Sequence, residues 1–161
     1  MDTLDRIDCQ ILAVLQQQGR ISNRDLAARV HLSPPACLAR VRRLEDEGYI
    51  EGYHALLKRE ALGFDQLCFI QLTLEIHRHE QITHLLEQLV AMPEVLECHN
   101  LTGEYDYLLK VAVPNTMHLH NFISERLFPI PGIARIHTSV VLKEVKRSTV
   151  LPLDCQNQTS T

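Results

Sequence analysis

Three arginines crowd four positions in the stretch "LSPPACLARVRRLE", residues 32 to 45: Arg40, Arg42 and Arg43. A guanidinium group is always charged, and its planar fork of donors fits phosphate oxygens and the edge of guanine. A second stretch, "LTGEYDY", residues 101 to 107, sets a glycine among polar side chains. Gly103 permits a tight turn whose amide N–H groups could meet a carboxylate, and Asp106 could accept from an ammonium group. On the residues alone, the plainer reading of this second stretch is a hairpin turn with Asp106 capping it. The ligand-binding reading stays open beside it.

The arginines need a helix to aim them. Leu4, Ile7, Ile11 and Leu15 recur at helical spacing, with Thr3 as the expected N-cap and Gly19 as the residue past the helix end. Ser22 and Asp25 resemble a capping box at the start of a short second helix whose apolar side is Leu26, Ala27 and Val30. Ser33 then caps a third helix with Pro34 at its first position, where no N–H partner is needed. Two short helices joined by a tight turn after a longer one predict a helix-turn-helix, whose last helix enters the major groove of DNA.

At about 100° per residue, Cys37, Val41, Leu44 and Gly48 of this third helix fall on one packed stripe. Ala39 and Arg43 lie nearly opposite, with Pro35, Ala36 and Arg42 beside them and Arg40 on the flank. Small residues and guanidinium groups suit close approach to a duplex. The candidate DNA contacts are therefore Ser22, Asn23, Ser33, Pro35, Ala36, Ala39, Arg40, Arg42 and Arg43. The bland alternative is a solvated basic face, but capping, spacing and turn fit the motif together. "GYIEGYHALL", residues 48 to 57, reads as a short extended wing or a hinge strand.

Beyond residue 65 the apolar period changes from 3.6 to 2. Cys68, Ile70, Leu72, Leu74 and Ile76 alternate onto one face of a strand. A helix follows with Ile82, Leu85, Leu86, Leu89 and Val90 at helical spacing. Two strands flank the "TGE" turn, a second helix turns Met117, Phe122, Ile123 and Leu127 to the core, and "IARIHTSVVLKEV" is the last strand. The order β-α-β-β-α-β is the split, ferredoxin-like arrangement. Two helices cover only one face of such a sheet, so the other invites a second copy, and a dimer can read a palindromic site. The fold class expected is α+β: an N-terminal helix-turn-helix (winged-helix-like) domain at 1–52, a hinge strand at 53–65, a ferredoxin-like domain at 66–153 and a flexible tail at 154–161.

The net charge of −4 argues against a nucleic-acid binder only until its distribution is read. From Arg20 to Arg43 there are six arginines and one acid, Asp25, whereas the chain is acidic from residue 59 onward. That asymmetry marks a basic module carried by an acidic one. No apolar run approaches the roughly 18 residues of a membrane span, and "MDTLDRIDCQ" is not a signal peptide, so a cytosolic protein is expected. Cys9, Cys37, Cys68, Cys98 and Cys155 are scattered without a C-x-x-C pair, which predicts free thiols and no zinc site. His77-x-His79 and His118-x-His120 lack the further ligands of a metal site. There is no glycine-rich phosphate loop and no convincing nucleophile–base pair, so no enzyme is expected.

The stretches "LDRIDCQILAVLQQQGRISNRDLAARVHLSPPACLARVRRLEDEGYIEGYHALL", "MPEVLECHNLTGEYDYLLKV" and "SVVLKEVKRSTVLPL" together resemble the leucine-responsive regulatory protein/asparagine regulator (Lrp/AsnC) family, most closely its leucine-responsive branch. The resemblance covers almost the whole chain. It implies a prokaryotic transcription regulator in the cytoplasm at the nucleoid, binding double-stranded DNA and controlling genes of amino-acid metabolism or transport. It implies dimers that assemble further, commonly to octamers, and a free amino acid, leucine or another, as effector between subunits, with no other cofactor. By the same resemblance Leu101, Thr102, Gly103, Glu104, Tyr105 and Asp106 line the effector loop, and Thr138 and Ser139 reach in from a neighbouring subunit. One departure is Pro35-Ala36, where the family often has Thr-Pro. It removes a hydroxyl that could touch phosphate or base, so no operator sequence carries over. A thiol-switched DNA binder that ignores amino acids is the alternative.

Overall fold

The computed structural model describes residues 4–75 and 79–153. The chain forms two compact units, one of residues up to 56 together with the segment from 146 onward, the other of residues 57–145.

The first unit holds α1 (Arg6–Gln17), α2 (Asn23–Arg29) and α3 (Pro34–Asp46). The cap of α1 is Asp5, whereas the expected cap, Thr3, lies outside the described residues. Asp5 Oδ1 accepts the N–H of Asp8 at 2.8 Å, and Asp8 Oδ2 accepts the N–H of Asp5 at 3.1 Å. This reciprocal pair is a capping box, and the expected one at Ser22–Asp25 is only half of one. Ser22 Oγ accepts the N–H of Asp25 at 3.1 Å and donates to its carboxylate at 2.7 Å. Ile11, Leu12, Leu26, Ala27, Cys37 and Leu44 make the buried core.

The turn between α2 and α3 is made by His31 at φ 56°, with His31 N–H bonded to Ala28 O and Leu32 N–H to Ala27 O. Those two bonds are a Schellman closure. Gly48 does the same for α3 at φ 77°, with Tyr49 N–H on Leu44 O. Gly48 therefore ends the helix and is exposed, instead of continuing the packed stripe.

No strand forms at 48–57 or at 53–65. The expected hinge strand holds a 3-10 turn, Arg59–Leu62, closed by Gly63 at φ 81°. Arg59 donates to the carbonyls of Phe64 and Asp65 at 2.9 and 3.0 Å, which locks the turn and takes it out of any ladder. The expected boundary at residue 153 also shifts, because the last described residues belong to the first unit. Gln16 on α1 clamps Leu151, accepting its N–H at 2.6 Å and donating to its carbonyl at 3.3 Å, while Leu153 packs on the helical core.

The second unit is the expected βαββαβ: β1 (Gln66–Leu74), α4 (His79–Val90), β2 (Val95–Asn100), β3 (Tyr107–Val113), α5 (Thr116–Asn121) and β4 (Ile133–Val140). The sheet order is β2-β3-β1-β4, antiparallel throughout. Cys68, Ile70 and Leu72 alternate toward Leu85, Leu89 and Leu127 in the core, while Ile76 lies outside the described residues.

One core assignment fails: Met117 in the first turn of α5 is 66% exposed, while Leu119 is buried. Val90, at helical spacing at the end of α4, is 67% exposed. After α5 the chain winds as a π-helix, Phe122–Leu127, with Phe128 N–H reaching Ile123 O. An α-helix would set Phe122 and Leu127 about 140° apart. The wider turn narrows that angle and lets both be buried.

Candidate DNA interface and effector loop

Ser33 caps α3 with its Oγ 3.4 Å from the N–H of Ala36, and Pro34 occupies the first turn. Pro35, Ala36, Ala39 and Arg42 are exposed along the helix. Among the described residues, no hydrogen bond or ion pair holds the Arg42 guanidinium.

Arg40 and Arg43 are placed differently from the helical-wheel expectation. Arg40 Nη1 lies 2.5 Å from Asp5 Oδ2 and 2.8 Å from Asp8 Oδ1, and Arg43 Nη2 lies 2.5 Å from Asp8 Oδ2. Their long stems let the guanidinium groups fold back toward α1. Asp8 is wholly buried, and only charge-bearing donors can offset its desolvation. The Asp5 carboxyl is held below its usual range: burial pushes it up, but the N–H of Asp8 and the Arg40 guanidinium outweigh that. Arg40 and Arg43 are pushed up, chiefly by Asp5 and by Asp8 respectively.

Asn23 is also engaged within its own unit. Its Nδ2 donates to Pro34 O at 2.8 Å, tying α2 to the start of α3. Ser22 is exposed, with its hydroxyl on Asp25. Of the nine candidate DNA residues, Asn23, Arg40 and Arg43 thus have structural duties that their residue types did not reveal. The signal for the arginines was present: Asp5 and Asp8 stand three apart on a helix that had to pack beside α3.

The loop from Leu101 to Asp106 is braced from within. Asp106 O accepts the N–H of Leu101 at 2.8 Å and the Asn100 side chain at 3.1 Å. Asp106 N–H donates to Leu72 O at 2.9 Å, and Asp106 Oδ2 accepts the N–H of Leu74 at 2.7 Å. Its carboxylate therefore extends the pairing of β1 with β3, whereas the hairpin turn it was expected to cap is closed by its backbone carbonyl. Gly103 sits at φ 124° with open space where a Cβ would go, so glycine is favoured there by backbone conformation. Thr102, Gly103 and Glu104 are exposed, and Leu101 and Tyr105 half-buried.

Tyr105 stacks on His137, with ring centroids 6.0 Å apart. His137 stands two residues from Ser139 on β4, a position that period-2 alternation makes legible in the sequence. Thr138 pairs with Ile70 and Ser139 with Phe69, so the two neighbours point to opposite faces of the sheet. Only Ser139 shares the open face with His137. Cys37, Cys68 and Cys98 are all pushed up by burial, which holds their thiols protonated and slow to react. His118 Nδ1 lies 3.0 Å from Asn115 Oδ1 at the cap of α5, and His77 lies outside the described residues.

A capped helix-turn-helix joined to a βαββαβ sheet with a braced hairpin loop defines a two-part DNA-binding transcription regulator. Residues 4–51 match the winged helix-turn-helix DNA-binding family, and residues 67–151 match the Lrp/AsnC ligand binding domain. The leucine-responsive regulatory proteins of Escherichia coli K12 and Klebsiella pneumoniae are each 43% identical over 148 residues, covering 92% of this chain and 90% of theirs. Among solved structures, a transcriptional regulator from Neisseria meningitidis in complex with L-Met superposes with a TM-score of 0.91 at 38% identity, covering 94% of this chain and 98% of that one. An AsnC family regulator from Agrobacterium tumefaciens gives 0.89 at 30% identity, covering 95% and 99%. The chain belongs to the Lrp/AsnC family of transcription regulators.

Proposed function

We propose that this regulator reads double-stranded DNA through the exposed face of α3 and changes that binding when a free amino acid occupies the Leu101–Asp106 loop. The exposed row Pro35, Ala36, Ala39 and Arg42, behind a Ser33 cap, supports the DNA reading: small side chains allow close approach, and Arg42 supplies charge. The L-Met complex of the Neisseria relative is the single observation that carries the effector reading. Leucine, methionine or another amino acid fills the site, its carboxylate on the loop amides and its ammonium group on Asp106. The second carboxylate oxygen is the one that serves the ligand, since Oδ2 is engaged by Leu74.

Two copies pair through the open sheet face, where Phe69 and Leu108 are only half-covered, and such dimers assemble further, commonly to octamers. A two-fold dimer presents two α3 helices to a palindromic operator. The protein acts by binding, without catalysis, in a prokaryotic cytoplasm. Thermal shifts against each of the twenty amino acids test the effector, because a ligand held only by the folded state raises its stability by mass action. Sedimentation and DNA-binding anisotropy with the best ligand then test the coupling. No thermal shift with any amino acid at millimolar concentration refutes the effector reading and leaves the DNA reading intact.

A further inference from the structure

Arg40 and Arg43 carry charge on the helix assigned to DNA, yet both face carboxylates from α1. Asp8 is 0% exposed, and each of its oxygens accepts from a different guanidinium. Two guanidinium groups thus meet two carboxylates, Asp5 and Asp8, and the cluster carries no net charge. Glu47 adds a weaker contact, 4.0 Å from Arg43 Nε. Non-specific affinity for DNA comes almost wholly from cations that displace condensed counterions at phosphates. An arginine already neutralised by a buried carboxylate displaces few.

We propose that Asp8 is a specificity-determining residue: it withholds Arg40 and Arg43 from the phosphate backbone and so limits sequence-blind binding. The charge left for phosphates on α3 is Arg42, with Arg20, Arg24 and Arg29 exposed nearby in the sequence. Affinity then depends more on the small-residue face that meets base edges, where sequence is read. Asp8 acts through the arginines and touches no DNA, which makes it a positioning residue. This inference rests on α3 as the DNA-reading helix.

The test compares full-length variants on two duplexes over a series of potassium chloride concentrations. One duplex is of random sequence, and the other is the tightest binder that wild-type protein selects from a random pool. Asp8→Asn, close to isosteric, is expected to steepen the slope of log K against log salt by about 1–2 and to raise affinity for the random duplex. The ratio of selected to random affinity therefore falls. Arg43→Gln and Arg40→Gln are expected to leave the slope unchanged, while Arg42→Ala lowers it by about 1. A merely structural Asp8 would weaken binding to both duplexes without steepening the slope, and that result overturns the proposal. So does a slope that drops by about 1 in Arg40→Gln or Arg43→Gln. Circular dichroism checks folding, and if Asp8→Asn does not fold, the two arginine variants decide alone. An Arg42→Ala slope equal to wild type counts instead against α3 as the reading helix, so the two failures are told apart.

Discussion

Asp8 in the helical unit and Asp106 in the sheet unit both spend a carboxylate on their own chain, but they differ in what remains. Asp8 is wholly buried, and its two oxygens hold two guanidinium groups and a backbone N–H. Asp106 is half-buried and gives Oδ2 to Leu74 N–H. The first is committed in full, as a buried charge must be. The second does structural work with one oxygen, and the other is the one the proposed effector site assigns to a ligand. A binding residue can also be a structural one, provided its chemistry has more than one hand.

The contrast predicts unequal costs. Asp8→Ala strips Arg43 of its close carboxylate partner, Arg40 of one of two, and Asp5 N–H of its acceptor. The expected loss is about 2–3 kcal/mol, below the ~3–5 of a fully buried pair, because the arginine side chains are 30% and 37% exposed. A lower midpoint in urea at unchanged m reads it out, and an unchanged midpoint would break the comparison on its stronger side.

Asp106→Ala is expected to cost about 1–2 kcal/mol of stability, since one backbone N–H is left without its charged acceptor. Asp106→Asn sharpens the point. It can still accept from Leu74 N–H, so the unfolding midpoint stays close to wild type. It loses the charge offered to an ammonium group, so affinity for the effector amino acid falls about tenfold, or about 1.4 kcal/mol. Calorimetric titration of both variants separates the two duties. Equal ligand affinity in Asp106→Asn and wild type would place the ammonium site elsewhere.

The smallest effect is at acid pH. Asp5 beside Asp8 and Glu97 on the sheet are both held below the usual carboxylate range, Glu97 chiefly by Lys110 with His99 next. A depressed folded pKa contributes stability above the unfolded value, and that stability is lost as pH falls through the folded one. Both contributions therefore vanish below about pH 4. Both side chains are nearly half exposed, so each is worth only a few tenths of a kcal/mol. Asp5→Asn and Glu97→Gln should each lower stability near neutrality by those few tenths and flatten the acid limb of a stability–pH profile, so that the difference from wild type closes below about pH 4.

The helix-turn-helix and the βαββαβ order were legible because period, caps and proline positions are local signals. Ser22, Ser33 and Pro34 stand where their types require. The destinations of Arg40, Arg43 and Asn23 were not legible, because each is set by a partner on another element or across a turn. Resemblance names Thr138 and Ser139 together, although alternation alone separates them. Met117 and Val90 lie exposed at helix ends, where the wheel gives least guidance. The π-turn at Phe122–Leu127 follows no local rule, since burying both ends of that segment decides the winding.

The clamp of Gln16 on Leu151 joins residues 135 positions apart. A chain is made from its N-terminus, at about 5–20 residues per second, so α1 waits roughly 7–27 s for the backbone that closes its flank. The whole sheet unit leaves the synthetic machinery in that interval. Local order and assembly order thus run opposite ways: the helices that are first to be made are last to be completed. The entropic cost of closing so long a loop rises only slowly with length, and the pairing of β1 with β4 shortens the effective loop before the clamp forms. A nascent or prematurely ended chain can carry the whole of α3 and still lack the strap beside α1.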